Sequence, residues 1–459
     1  MAQHPAQPFR NHQSVVPPRR IAVIYRAVTE LKPDPANPRR HSKKQVRQLA
    51  RSIQVFGFNV PVLTDTNNNV IAGHGRILAC QQLGLREVPT ISLEHLTPAQ
   101  AKAYLIADNR LTEIATWDER LLGEQLNALS EVELDFGLEV TGFETGEIDL
   151  FIEGLNLVEE SKPDPADEVP EPAPVQVSRV GDQWQLEAHR VLCGNALEEN
   201  AYATVMGGKQ AAIVITDPPY NVPIPGHAGG LGRIQHSNFA MACGEMSKAQ
   251  FTEFLQKFCA LACRYSMDGA LHYVFMDWRH MGELLTAGLA ACTELKNVCV
   301  WIKDNGGMGS LYRSQHEFVF VFKHGQAPHH NNVELGRFGR NRTNVWQYRG
   351  VNSFGRETDE GNPLVWHPTP KPVQLVADAI LDASARGDIV LDPFLGSGTT
   401  VIAAERVGRT CYGLELDPKY VDTIIRRWQA FTGLKARHAV NGKLFDELAA
   451  EMAEDSHDR

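Results

Sequence analysis

Apolar and polar positions along this chain fall into two rhythms: short apolar runs bounded by turn residues, and longer stretches with helical spacing. Val60 to Thr64 and Val70 to Ala72 predict two short strands joined by the turn-rich segment Asp65 to Asn69. Gln45 to Val55 and Arg76 to Leu83 carry helical spacing, and a further helix runs from Thr97, an N-cap ahead of Pro98, to Arg110. Farther along, Gln183 to Cys193 predicts a hairpin. Ala211 to Ile215, Ala270 to Met276, Asn297 to Ile302 and Phe318 to Phe322 predict strands, and Lys248 to Ser266 an amphipathic helix. Asp388 to Leu391, Thr399 to Arg406 and Thr410 to Leu414 form a strand–helix–strand unit. This alternation argues for a mostly parallel α/β sheet. Between the two halves, Glu159 to Pro174 is acidic and Pro-rich without apolar periodicity, which predicts an extended linker at a domain boundary.

At 459 residues, 43% apolar and 22% charged, the chain has room for two or three domains of ordinary soluble composition. No apolar run reaches membrane-spanning length, and Met1 to Arg20 has no apolar core of a signal peptide, so a cytoplasmic protein is expected. The eight cysteines form no Cys-x-x-Cys pair and are expected as reduced thiols, with no metal site. His324, His329 and His330 lack a Cys or acidic partner at ligand spacing. The net charge of −10 disfavours nonspecific coating of DNA, but Arg10 to Arg51 and Lys303 to Arg356 are locally basic and would suit phosphate contact.

Candidate chemistry concentrates at two strand ends. Asp217-Pro218-Pro219-Tyr220 follows the apolar run that ends at Ile215. The prolines cannot extend a ladder, which leaves their carbonyls free to accept. A carboxylate, free carbonyls and an aromatic face together suit a planar amine such as a nucleobase. Asp392-Pro393-Phe394-Leu395-Gly396-Ser397-Gly398 lies between a strand and a helix, and Glu415 ends the next strand 23 positions beyond Asp392. An acid about 20 residues on is the spacing that binds ribose hydroxyls. No Gly-Lys-Ser/Thr follows, so the turn is not a P-loop.

These motifs resemble the beta class of amino-methylating DNA methyltransferases, in which Asp-Pro-Pro-Tyr precedes Phe-x-Gly-x-Gly. The resemblance spans roughly Ser178 to Ala439. It implies methyl transfer from S-adenosylmethionine to a base amine in double-stranded DNA, with Asp217, Pro218, Pro219 and Tyr220 catalytic. It also implies that Asp392, Phe394, Gly396, Gly398 and Glu415 hold the cofactor, with Thr369 and Lys371 near its carboxylate. Asn195 stands where the family usually has Asp. By the same resemblance Asp217 favours the N6 amine of adenine. The alternatives are the N4 amine of cytosine, or a ParB-like partition or regulatory protein whose methyltransferase half is inactive. An insert over 221–362 is expected to read DNA through Arg313, Arg337, Arg340 and Arg342.

Asn37-Pro38-Arg39-Arg40, Gly57, Pro61 and Gly73-His74-Gly75-Arg76 resemble the ParB/sulfiredoxin-like fold over roughly Val28 to Pro89. That resemblance implies a nucleotide-phosphate loop at Gly73, His74, Gly75 and Arg76, where a helix N-terminus makes an anion site. The expected organisation is a small α+β ParB-like domain with trailing helices over 20–155, a linker over 156–177, and a Rossmann-like α/β S-adenosylmethionine-dependent methyltransferase domain over 178–441. The expected role is that of a restriction–modification-type DNA methylation enzyme, for which a homodimer is one possible assembly.

Overall fold

A computed structural model describes residues 21–132, 134–155, 164–171, 173, 175–222, 244–304, 306, 311–333, 340, 342–350 and 370–457. Thr369 and Arg337, both expected to bind ligand, lie outside the described residues. The chain forms two compact units, 1–122 with 132–144 and 123–131 with 145–459.

In the first unit, β1 (Ile24–Ala27), α1 (Lys43–Phe56), β2 (Val62–Thr64), β3 (Val70–Ala72), α2 (His74–Leu83), β4 (Glu87–Ser92) and α3 (Pro98–Glu113) build a four-stranded sheet in the order β1-β4-β2-β3, with helices. Ser42 caps α1 by accepting from the Gln45 amide. Thr97 and Gln100 form a reciprocal capping box on α3, as the Thr97-Pro98 pair predicts. α2 starts two residues earlier than its apolar spacing suggests, because Gly73 (φ 104°) supplies a left-handed N-cap that few other residues adopt.

α4 (Glu119–Ser130) is shared between the units, and α5 (Thr145–Gly154) opens the second. The second unit continues through β5 (Gln183–Leu186), β6 (His189–Cys193), α6 (Glu199–Met206), β7 (Ala211–Thr216), α7 (Lys248–Arg264), β8 (Ser266–Met276), α8 (Met281–Ala291), β9 (Glu294–Ile302), β10 (His316–Lys323) and β11 (Val345–Gln347). It ends with α9 (Val373–Ala383), β12 (Ile389–Asp392), α10 (Thr399–Arg406), β13 (Thr410–Glu415), α11 (Pro418–Thr432), β14 (Arg437–His438) and α12 (Phe445–His457). One ten-stranded sheet runs β11-β9-β10-β8-β7-β12-β13-β6-β5-β14. β7 is central and nearly continuous in apolar residues because both faces of the sheet are covered.

The sheet is parallel through β8-β7-β12-β13-β6, but β10 is antiparallel to β8 and β9, and β5 to β6 and β14. The expectation of a mostly parallel sheet therefore holds for its centre and fails on its flanks. Two antiparallel steps return β9 to the direction of β7. The carboxyl ends of β6, β7, β8, β9, β12 and β13 consequently share one edge, where open α/β sheets form their clefts.

Two boundaries differ from those read in the sequence. Much of 221–362, expected as a target-recognition insert, forms α7 to β10, of which β8, β9 and β10 are strands of the sheet itself. The Pro-rich stretch is also no free linker in its described part. Asp164 pairs bidentately with Arg406 (2.6 and 2.7 Å), and Asp167 accepts from the Val373 amide. Farther on, Asp422 accepts from the Val177 and Ser178 amides. Acidic residues that look solvating in sequence are here the anchors that pin this stretch to the sheet unit.

α5 is clamped more strongly still. Asp149 meets the buried Arg409 bidentately at 3.0 and 2.8 Å, and Arg386 approaches it at 3.3 Å. Gly123 of α4 lies so close to the Phe151 carbonyl that a Cβ there would come within 2.5 Å. Removing one partner of a buried pair strands the other, so Asp149→Ala is expected to destabilise the second unit by about 3–5 kcal/mol. Denaturant unfolding checks this; an unchanged midpoint would mean the clamp contributes nothing.

Candidate functional site

β7 delivers Asp217 to the shared edge, and the two prolines end the strand there. Asp217 sits in a charged pocket rather than alone. Its Oδ1 accepts from the Tyr220 hydroxyl at 2.5 Å, and its Oδ2 meets Lys371 Nζ at 2.5 Å. Lys371 also approaches Glu317 Oε2 at 3.2 Å, Glu317 Oε1 pairs with Lys303, and the Tyr220 oxygen lies 3.1 Å from Glu317. The Lys371 ammonium is caged by the rings of Phe275 (5.3 Å), Tyr220 (5.6 Å) and Trp301 (5.9 Å), which favour a cation.

Two carboxylates and two ammonium groups leave this pocket near neutral, as its burial demands. The two carboxylates are not equivalent. Burial favours protonation of both, but at Glu317 the two lysines outweigh it and hold the carboxyl at about 2. At Asp217 burial, helped by the nearby Glu317 charge, prevails over Lys371 and the pKa is raised. Lys371 and Glu317 side chains are only 5% and 8% exposed, whereas Asp217 keeps 21%. Of this trio, Asp217 is the group a ligand reaches. Asn221, in the left-handed region (φ 53°), follows the motif and holds the chain that returns at Gly244 and Met246 through its side-chain amide.

Next to β7, β12 leads into the turn Pro393 to Gly398. Gly398 has φ 83°, and a Cβ there would meet Ile424 at 3.0 Å, so only glycine fits. Glu415 Oε2 accepts from the Gly396 amide and Oε1 from the Asp417 amide (2.8 and 2.9 Å). Burial raises its pKa to about 7 against those two hydrogen bonds. Phe394 packs on Phe258 and Phe254 of α7.

Several residues expected to bind cofactor or DNA make internal contacts. Asp392, expected at the cofactor, accepts on both oxygens from Thr216, Thr400 and the Phe394 amide, which shapes the turn. Lys371, expected beside the cofactor carboxylate, lies in the Asp217 pocket. Arg340 and Arg342, expected on DNA, are turned inward. Arg340 pairs with Glu153 and Asp382, and Arg342 with Asp378 and Asp382. A buried guanidinium needs such carboxylates, and α9 supplies them. Arg313 is exposed, beside the exposed Leu311 and Tyr312 in the β9–β10 connection, and Trp278 after β8 donates to Ser314 at 3.0 Å. All of these emerge at the edge that carries Asp217. Asn195 spends its carbonyl on the Leu197 amide in a tight turn.

In the first unit, Gly73 caps α2 and the His74 ring accepts from the Asp34 amide at 3.2 Å. Gly75 lies where a Cβ would press on the His41 ring at 3.0 Å. Arg76 folds back toward the Pro61 carbonyl at 3.3 Å rather than outward, and burial lowers its pKa. A groove between α1 and α2 carries two cations beside apolar side chains, lined by His41, Lys43, Val46, Arg47, Leu78 and Gln82.

Three family profiles match the chain: ParB N-terminal domain over 18–109, ParB-methyltransferase HTH domain over 120–180, and DNA methylase over 211–426. The HTH match covers α4, α5 and the Pro-rich stretch, a region expected as trailing helices and a linker. The ParB-like nuclease domain-containing protein YnaK of Escherichia coli K12 is 44% identical over 81 residues, 18% of this chain and 93% of that protein. The type II methyltransferase M2.MboI of Moraxella bovis is 26% identical over 48% of this chain and 81% of its own length. M.HpaI of Haemophilus parainfluenzae is 25% identical over 51% and 72%. Among solved structures, the M1.HpyAVI–SAM complex is 19% identical over 52% of this chain and 98% of that one, at a TM-score of 0.37. The chain belongs to the ParB-like proteins joined, through a ParB-methyltransferase HTH segment, to a DNA methylase of the N6/N4 amino-methyltransferase family.

Proposed function

We propose that this DNA methyltransferase modifies the exocyclic N6 amine of adenine, with Asp217 as the group that holds the amine. The observation that carries this reading is the Asp217 carboxylate: partly exposed at the sheet edge, fixed by Tyr220 and Lys371, and adjacent to the Gly396–Gly398 turn. Its methyl donor is S-adenosylmethionine, which supplies an electrophilic methyl on sulfonium. The turn fits that molecule: glycine backbone at Gly396 and Gly398 leaves room for close approach, and Glu415 stands at the neighbouring strand end. Asp392, held by Thr216, Thr400 and the Phe394 amide, shapes the turn.

A base inside a duplex is out of reach and must be flipped into the pocket. Asp217 and the Pro218 carbonyl then accept from the amino hydrogens, which localises the nitrogen lone pair that the ring otherwise withdraws. Tyr220 offers its ring face for stacking, oriented by its hydroxyl on Asp217. S-adenosylmethionine would supply the methyl that the amine nitrogen takes from sulfur, and Asp217 would receive the surplus amine proton along its hydrogen bond. Trp278, Tyr312 and Arg313, exposed on the same edge, are placed to meet double-stranded DNA. Methylation-sensitive sequencing of DNA from cells expressing the chain reads base and site together. N6-methyladenine at a fixed sequence is the expected result; N4-methylcytosine would refute the adenine assignment.

Glu415 gives this reading a pH signature. Only its ionised form accepts two hydroxyls, and it loses that charge as pH falls through about 7. S-adenosylmethionine affinity is therefore expected to fall by about tenfold per pH unit below that point and to level off above it. Calorimetric titration across pH checks this, and Glu415→Gln is expected to weaken binding and flatten the profile.

The first unit is proposed to hold a nucleotide by its phosphates, at the α2 N-terminus and the α1–α2 groove. Arg47→Ala is expected to weaken binding of a fluorescent nucleoside triphosphate several-fold. Unchanged binding would take the phosphates elsewhere.

A further inference from the structure

Away from the charged pocket, three soft ligands converge behind the sheet. Cys263 is in the last turn of α7, Cys292 follows α8, and His272 is in the middle of β8. The two sulfurs and a ring nitrogen of His272 all lie within 4.8 Å of one another. The sulfurs are 3.1 Å apart. His272 is 2% exposed, yet its Nε2 has no hydrogen-bond partner. A buried, unsatisfied ring nitrogen is costly and calls for an explanation.

We propose that Cys263, Cys292 and His272 bind a zinc ion that ties α7 and α8 to β8.

The chemistry of the donors selects the metal. Thiolate and imidazole suit zinc, and two thiolates with one neutral imidazole cancel the charge of a divalent ion. A neutral complex is the form an apolar interior accepts at least cost. An imidazole ligates a metal in its neutral form, the state that donates a lone pair. Both thiols give up their protons on binding. Tetrahedral zinc, with Zn–S bonds of about 2.3 Å, needs the sulfurs at roughly 3.8 Å, so they separate by less than an ångström. A disulfide between the cysteines would leave His272 as unsatisfied as before, whereas a metal uses all three groups. Cys259 lies one turn earlier on α7 in the same apolar cluster. The same helix carries Phe254 and Phe258 against Phe394, so the ion would stiffen the wall behind the Gly396–Gly398 turn.

The test uses the full chain, purified under reducing conditions, stripped by chelator and titrated with zinc or with cobalt(II) as a spectroscopic probe. The expected result is about one metal per chain, a thiolate-to-cobalt absorption band and a higher melting temperature with zinc. Cys263→Ser and His272→Phe are each expected to abolish the band and the melting shift. A stripped wild-type chain that takes up no zinc and shows no cobalt band would overturn the proposal. So would a wild-type mass lower by two hydrogens, with both sulfurs joined in a disulfide. A band that survives Cys263→Ser would place the metal elsewhere and equally refute it.

Discussion

Asp217→Asn is expected to lower methyl transfer by on the order of 10³-fold or more, with S-adenosylmethionine affinity close to the wild-type value. The amide keeps the shape of the carboxylate and one acceptor oxygen, so the substitution tests charge and acceptor capacity more than packing. Lys371 keeps Glu317 as a partner, and the Gly396–Glu415 contacts are on a neighbouring pair of strands. The loss therefore belongs in the chemical step. Single-turnover transfer to duplex DNA, alongside cofactor titration, separates the two. Full transfer by Asp217→Asn would remove this carboxylate from the reaction, and an equal loss of cofactor binding would make it a structural residue.

Lys371→Met is expected to move the acidic limb of the rate profile to higher pH and to cost about 3–5 kcal/mol of stability. The ammonium is the cation that opposes burial at Asp217 and part of what holds Glu317 low. Without it two buried carboxylates face each other around Tyr220, with Lys303 paired only to Glu317. Asp217 then binds its proton at higher pH and is less often ready to accept from an amine. The sign of the stability effect follows from the same change. A carboxyl that titrates above its unfolded value of about 4 penalises folding while ionised, so the deficit should shrink on acidification toward that value. Urea unfolding at several pH values and a pH–rate profile check both parts. An unshifted acidic limb would show that Lys371 does not tune Asp217.

The two short motifs were legible because their chemistry is local. Asp217 to Tyr220 and Phe394 to Gly398 each sit at one strand end, and the strand–turn–helix context can be read from apolar runs and glycines. The pocket around Asp217 was not legible, because Lys303, Glu317 and Lys371 come from distant segments and meet only through sheet order. Without α9 in view, the basic run at Arg340 and Arg342 suits contact with DNA phosphates, although Asp378 and Asp382 take both guanidiniums inside. Composition misled in the same way at the Pro-rich stretch. Asp164 and Asp167 have the look of a solvated linker, yet Arg406 and the Val373 amide fix them in place. The long separation between the two motifs predicts an insert, but the antiparallel return through β10 makes β8 to β10 part of the sheet.

The most direct measurement is transfer of a labelled methyl group from S-adenosylmethionine to duplex DNA by the purified chain, followed by digestion to nucleosides and mass spectrometry. Label in N6-methyldeoxyadenosine, present with the wild type and absent with Asp217→Asn, is the expected result. Label in N4-methyldeoxycytidine, or in N6-methyldeoxyadenosine at undiminished rate with Asp217→Asn, would contradict it.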